Sequence, residues 1–142
     1  MEMNFVTGLV VDSAIRVHSR LGPGLLEGAY EACLAHEIRK RNVDVVTQMQ
    51  LPIIYDGVRL DIGYRLDLLV AHSVVVELKT VEKLKPIHEA QLLSYLRLSG
   101  HKVGLLINFH VPSLARGHQT NGEQLLSGSA IPPSSATSAS QR

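Results

Sequence analysis

Tryptophan is absent, and four tyrosines and two phenylalanines are all the aromatics in 142 residues. An aromatic platform for stacking on bases therefore has little to draw on. The single cysteine, Cys33, excludes an internal disulfide and a multi-cysteine iron–sulfur cluster, and makes a reducing, cytoplasmic setting the expectation. No CxxC, HExxH or P-loop pattern occurs, so zinc, iron–sulfur and nucleotide-driven chemistry lose their usual support. Charges interrupt every apolar run before a membrane could be spanned. The first residues lack a basic start and a small-residue cleavage site, so no signal peptide is expected. The net charge is only +1, which excludes a globally basic nucleic-acid coat. Any grip on phosphate must come from a local cluster, Lys79, Lys83 and Lys85 or Arg39, Lys40 and Arg41, and such runs are more often solvated faces. There are no internal repeats.

What is present fits one domain with a proper core. Val6, Leu9, Val10, Ile15 and Val17 predict an amphipathic helix over 5–20, broken by Gly22-Pro23-Gly24. A second helix is expected over 26–41, with Leu26, Tyr30, Cys33, Leu34 and Ile38 as its stripe and a basic C-terminus. From Val43 to Tyr55 a partial two-residue alternation predicts a strand with an edge or bulge at Pro52. Asp56-Gly57 is a hairpin signal, and Val58 to Val70 returns as a second strand, bent at Gly63. Ala71-His72-Ser73 leads into a third strand, Val74 to Thr80, completing an antiparallel meander. Pro86 opens a helix to Ser99, stopped by Gly100, and Lys102 to Phe109 is a buried strand. The order ααβββαβ predicts an α/β sandwich with a mixed central sheet over residues 1–114. The Ser-, Pro- and Ala-rich remainder, 115–142, is expected to be a poorly ordered tail, with Leu125 and Leu126 able to dock locally.

The most informative stretch runs from Asp67 to Lys79. Asp67 sits in one apolar run, and Glu77 and Lys79 emerge at the end of the next, on one face of a strand with Leu78 pointing away. Two acids and a lysine converging at strand ends can hold a divalent cation and activate a water against a phosphodiester. Each element also has a plainer reading. Asp67 alone serves equally well to cap a turn, and an isolated Glu-x-Lys is usually a surface pair. Here, however, the pair ends Val74-Val75-Val76, a run that looks buried on both faces, where charges need partners. Glu27 alone would simply suit a helix N-terminus. Gln91 and Tyr95, four apart, share a helix face. Tyr30 and Cys33 read as core residues, and His18 as a satisfied, half-buried histidine. Arg65 shares a strand face with Asp67, within reach of a phosphate, and His88 lies three residues before Gln91.

In order along the chain these are Gly24-Leu-Leu-Glu27, Asp67, Glu77-Leu-Lys79 and Gln91-Leu-Leu-Ser-Tyr95. The order resembles the GxxE … D … ExK … QxxxY pattern of the PD-(D/E)XK nuclease superfamily, in its RecB-like and lambda-exonuclease-like branch. Gly24-Leu-Leu-Glu27-Gly-Ala-Tyr30 is similar to the defining motif of the GxxExxY proteins, a bacterial family of small chains within it. The resemblance covers about residues 5–114 and departs from the pattern in having Leu66 before Asp67 rather than Pro. The tail beyond Pro112 does not resemble the family's ending.

The resemblance implies a restriction-endonuclease-like, three-layer sandwich. It implies Mg²⁺ or Mn²⁺ held by Asp67, Glu77, the carbonyl of Leu78 and Glu27. Lys79 would position or deprotonate the attacking water, with Gln91 and Tyr95 orienting the scissile phosphate or Lys79. The expected function is metal-dependent hydrolysis of nucleic acid, DNA before RNA. No membrane association is expected, and a homodimer or a protein partner could help hold substrate. The rival expectation is a nucleic-acid-binding or protein-interaction module with little catalysis on the same fold, or an accessory that binds DNA ends.

Overall fold

A computed structural model describes residues 2–114 and the backbone of 119–120, 123–126 and 128–131. Two helices come first, α1 (Met3–Leu21) and α2 (Glu27–Lys40). Five strands follow: β1 (Val45–Gln50), β2 (Ile53–Tyr55), β3 (Val58–Leu60), β4 (Arg65–Val70) and β5 (Val74–Lys79). Helix α3 (Pro86–Ser99) then leads to β6 (Val103–Asn108), β7 (Gln119–Thr120), β8 (Glu123–Leu126) and β9 (Gly128–Ile131).

The main sheet has the order β1-β4-β5-β6-β9-β8-β7. It is mixed, as expected: β1, β4 and β5 form an antiparallel meander, and β6 lies parallel to β5. A parallel neighbour requires a crossover, which α3 supplies. The expectation of a poorly ordered tail bears mainly on residues outside those described. The described parts of that stretch continue the sheet, with β9 antiparallel to β6.

Alternation along the strands, broken in β4 at Leu66, divides the core into two layers. On one face Leu68, Val70, Val74, Val76 and Leu78 pack with Val6, Val10, Tyr30, Leu34 and Ile38 of α1 and α2. On the other, Leu66, Leu69, Val75 and Leu106 pack with Leu92, Tyr95 and Leu96 of α3. This is the three-layer α/β/α sandwich of a restriction-endonuclease-like fold. Helix α3 lies close to its sheet because position 104 is glycine. A Cβ there would stand 2.9 Å from Leu92 Cδ1, and the leucine side chain would have to shift.

Two of the expected meander strands are each split in two. Pro52 has no amide to give a ladder, and β1 stops just before it. Gly63, at φ 98, turns the chain back into β4. Between these breaks β2 and β3 form a separate two-stranded sheet through the Asp56–Gly57 turn, both of whose residues have positive φ. The Leu51 amide donates to the Tyr64 carbonyl (2.8 Å) and closes the base of this hairpin.

Candidate active site

Strands β4 and β5 carry the two acids at the level where their ladder ends. The last registered pair is Leu68↔Val76. One residue further on, side chains take over from backbone. The Asp67 amide donates to Glu77 Oε2 (2.7 Å), and the Leu78 amide donates to Asp67 Oδ2 (2.8 Å). Each carboxylate thus accepts a bond that a carbonyl would otherwise take, and the strands are held at the point where they part. On its other side β5 remains fully laddered to β6, through Glu77↔Leu106 and Lys79↔Asn108. Glu77 and Lys79 therefore project from a rigid strand.

Glu77 is only 4% exposed. Burial, then the charge of Asp67, push its carboxyl up to about 8; the Asp67 amide and Lys79 offset part of this, and Glu27 adds to it. Lys79 forms no ion pair among the described residues, so the site is not a closed salt bridge. Glu27, the first residue of α2, is half-buried. Its carboxyl is also raised, by burial and by Asp67, with Lys79 opposing and Glu31 adding. The four side chains at 27, 67, 77 and 79 thus lie within each other's fields. Tyr30 makes this possible from the core. Its hydroxyl donates to the Gly22 carbonyl (2.5 Å) and accepts from the Leu25 amide (3.2 Å), and its ring stacks on Phe109 at 4.6 Å. The loop that delivers Glu27 is pinned there, and Tyr30 is fully buried, as its plainer reading anticipated.

Helix α3 closes the opposite side. Gln91 Nε2 donates to the Tyr95 hydroxyl (3.1 Å), and Tyr95 is 7% exposed. Burial and the nearby Glu77 raise the phenol above its ordinary range, with smaller contributions from Tyr64 and Asp67 against the Gln91 bond. His88 approaches the same region. Burial and then Lys79 and Lys85 lower its imidazole, whose Nδ1 accepts the Lys85 amide (2.9 Å). His18 is elsewhere, buried, with Nε2 bonded to the Val111 carbonyl (2.8 Å). Arg65 is exposed and reaches the Gln48 carbonyl (3.4 Å).

Two residues that the sequence reading passed over join the site. Between the registered pairs Thr47↔Leu68 and Met49↔Leu66, Gln48 takes a left-handed conformation at φ 54. Its amide donates to Glu31 Oε1 (2.6 Å) and to Asp67 Oδ1 (3.4 Å). Glu31 is raised by burial and by Asp67, against the Gln48 bond. Glu31 lies four residues after Glu27, on the same helix face, which was a usable signal. Nothing local to Gln48 announced its turn.

A family model for the PD-(D/E)XK nuclease superfamily matches residues 4–120. The chain belongs to that superfamily. Comparison with curated proteins and with solved structures gives no match. PD-(D/E)XK nucleases generally use divalent metals, so the donor set can be tested against such an ion. Its chemistry fits. The groups are carboxylate oxygens, suited to a hard cation, and their mutual repulsion around a buried Glu77 is what a cation relieves. Their present arrangement is not a finished cage. Among the described residues no three Asp, Glu, His or Cys side chains are grouped to hold a metal, and Asp67 Oδ2 and Glu77 Oε2 are each engaged by a backbone amide. Among these residues no helix is long and apolar enough to cross a membrane.

Proposed function

We infer that this PD-(D/E)XK chain is a divalent-metal-dependent nuclease that hydrolyses phosphodiesters of nucleic acid, with DNA as its substrate. The observation that supports this most is the buried Glu77, surrounded by like charge from Asp67 and Glu27, with a lysine two residues on that pairs with none of them. A purely structural cluster of that burial would be expected to pair its charges.

Asp67 and Glu77 would hold Mg²⁺ or Mn²⁺, with the Leu78 carbonyl and Glu27 as further oxygen donors. Such an ion neutralises charge on the phosphate and lowers the pKa of a bound water. Lys79 holds the attacking water and offsets the phosphate charge. Gln91 fixes the Tyr95 hydroxyl, which leaves its proton free to orient the phosphate and a lone pair free to accept from Lys79. In-line attack on phosphorus depends mostly on positioning and charge neutralisation, which such groups supply. Gly24-Leu-Leu-Glu27-Gly-Ala-Tyr30 supports placing the chain with the bacterial GxxExxY proteins, in the RecB-like and lambda-exonuclease-like branch. A lone thiol at Cys33 suits a cytoplasmic setting.

The two engaged carboxylate oxygens favour a second reading, a binding module on the same fold with little catalysis. Incubation with single- and double-stranded DNA and RNA, in Mg²⁺, Mn²⁺ or EDTA, separates the two. Cleavage that requires metal and disappears in Glu77→Ala and Lys79→Ala is expected. Binding without cleavage, unchanged in Glu77→Ala, would establish the module instead.

A further inference from the structure

The β2–β3 hairpin stands apart from the main sheet, and two strands alone are marginal in water. Its register, Ile53↔Leu60, Ile54↔Arg59 and Tyr55↔Val58, puts Ile53, Tyr55, Val58 and Leu60 on one face. That face is open: Tyr55 is 72% exposed, Val58 54% and Leu60 38%, with Ile62 just beyond at 60%. A contiguous apolar patch of this kind marks an interaction surface. The charges of the segment cancel, Asp56 and Asp61 against Arg59 and Arg65, so it offers no net attraction to a phosphate backbone. A protein partner suits it better.

The outer edge of β3 identifies that partner. Where a two-residue turn closes a hairpin, the ladder turns the amides and carbonyls of Val58 and Leu60 toward β2 and those of Arg59 outward, and the same alternation carried one residue past β3 turns Asp61 outward. We propose that β3 pairs antiparallel with the β3 of a second copy of this chain, about a two-fold axis at Leu60. In that register Arg59 and the partner's Asp61 exchange both backbone hydrogen bonds, and Asp61 does the same with the partner's Arg59. Side-chain chemistry agrees with the backbone. Arg59 Nε already lies 3.2 Å from Asp61 Oδ1, and across the axis each meets its opposite charge again. Leu60 meets the partner's Leu60, and Val58 meets the partner's Ile62. Two marginal hairpins become one four-stranded sheet, and an open edge is closed. The pairing does not depend on whether the acidic site is catalytic.

Sedimentation velocity of the full chain, without nucleic acid or divalent ion and from micromolar to millimolar concentration, tests it. A reversible dimer of twice the 15.5 kDa chain mass is expected. Arg59→Asp alone and Asp61→Arg alone each set like charges opposite one another on both sides of the axis, and each weakens the dimer about tenfold or more. Mixing the two variants restores dimers that contain one chain of each, because every 59–61 contact again joins opposite charges. The double variant, Arg59→Asp with Asp61→Arg, pairs with itself. Unchanged circular dichroism in both single variants separates lost pairing from lost folding. A chain that stays monomeric throughout overturns the proposal, as does a dimer indifferent to both single substitutions. Association only on adding a single-stranded oligonucleotide also overturns it, in favour of nucleic acid on the hairpin.

Discussion

Two glutamates of this molecule expose little surface and live in opposite fields. Glu37, on α2, is 8% exposed, and Glu77, on β5, is 4% exposed. Around Glu37 stand Arg16 at 3.4 Å, Lys40 at 3.5 Å and Arg41 at 3.8 Å. Arg41 also reaches the Leu9 carbonyl (3.2 Å) and the Ser13 hydroxyl, so the cluster staples α1 to α2. Burial raises the Glu37 carboxyl, but Lys40, Arg16 and Arg41 more than reverse this and leave it lowered. Around Glu77, burial first and then the carboxylates of Asp67 and Glu27 raise its carboxyl to about 8, against Lys79 and the Asp67 amide. Burial therefore has to be read together with the sign of the neighbouring charges. That sign separates a fastening, complete within the protein, from a site that requires something from outside.

The sharpest test of that contrast is activity. Glu77→Gln is expected to reduce metal-dependent cleavage of DNA about 10³-fold or more, while Glu37→Gln leaves it nearly unchanged; a plasmid-nicking assay reads both. An unaffected Glu77→Gln would erase the distinction.

Stability against pH comes next, and the two residues run in opposite directions. The carboxyl of Glu77 is raised on folding, so the native state binds the proton more tightly than the unfolded chain. Its stabilising contribution is complete below about pH 4.5 and is lost as pH rises through about 8. Without divalent ions, stability should fall by up to roughly 5 kcal/mol across that window, and Glu77→Gln should flatten the profile. For Glu37, whose carboxyl is lowered, the contribution is present above the unfolded value and is lost as pH falls through the lowered one. Urea denaturation at a series of pH values measures both slopes.

A smaller effect is expected for Glu37→Ala at neutral pH. It leaves three cations without their anion, but each is partly solvated, so about 2 kcal/mol of stability should be lost. The smallest effect belongs to Gln48. Replacing it with alanine frees the Asp67 carboxylate and should lower cleavage about tenfold with little change in substrate binding. A change confined to KM would remove Gln48 from the site.

How far the sequence spoke depended on how local each signal was. The bounds of helix α3 were legible to the residue, because Pro86 and Gly100 mark its ends, whereas its apolar face, expected along Ile87, Ala90, Leu93 and Leu96, is carried by Leu92, Tyr95 and Leu96, with Ile87 69% exposed. Strands β5 and β6 were legible because fully buried strands are continuous apolar runs. The separate hairpin was not. A strand that continues and a strand that ends and restarts show the same alternation, and the difference rests on one missing amide at Pro52 and one backbone angle at Gly63. The acidic site was legible as a set of letters in order, since the Asp67 and Glu77 positions follow from strand register. Its full repulsive character was not, because beyond Asp67 it includes Glu27, with Glu31 acting on Glu27, and both arrive on another element. Gln48 was hidden for the same reason. Its part in the site is a dihedral angle, and no pattern of residue types encodes it.

The exchange of carboxylates for carbonyls at the end of the β4–β5 ladder has one further consequence. The amide protons of Asp67 and Leu78 are guarded by side chains that can swing, while the amides of the following ladder are guarded by backbone that cannot. Whatever draws either acid aside, a bound ion or a titrated proton, uncovers one of those two hydrogens to solvent. Two neighbouring amide signals in a nuclear magnetic resonance spectrum would thereby act as a built-in gauge of occupancy, at a seam where this sheet is fastened by groups able to let go.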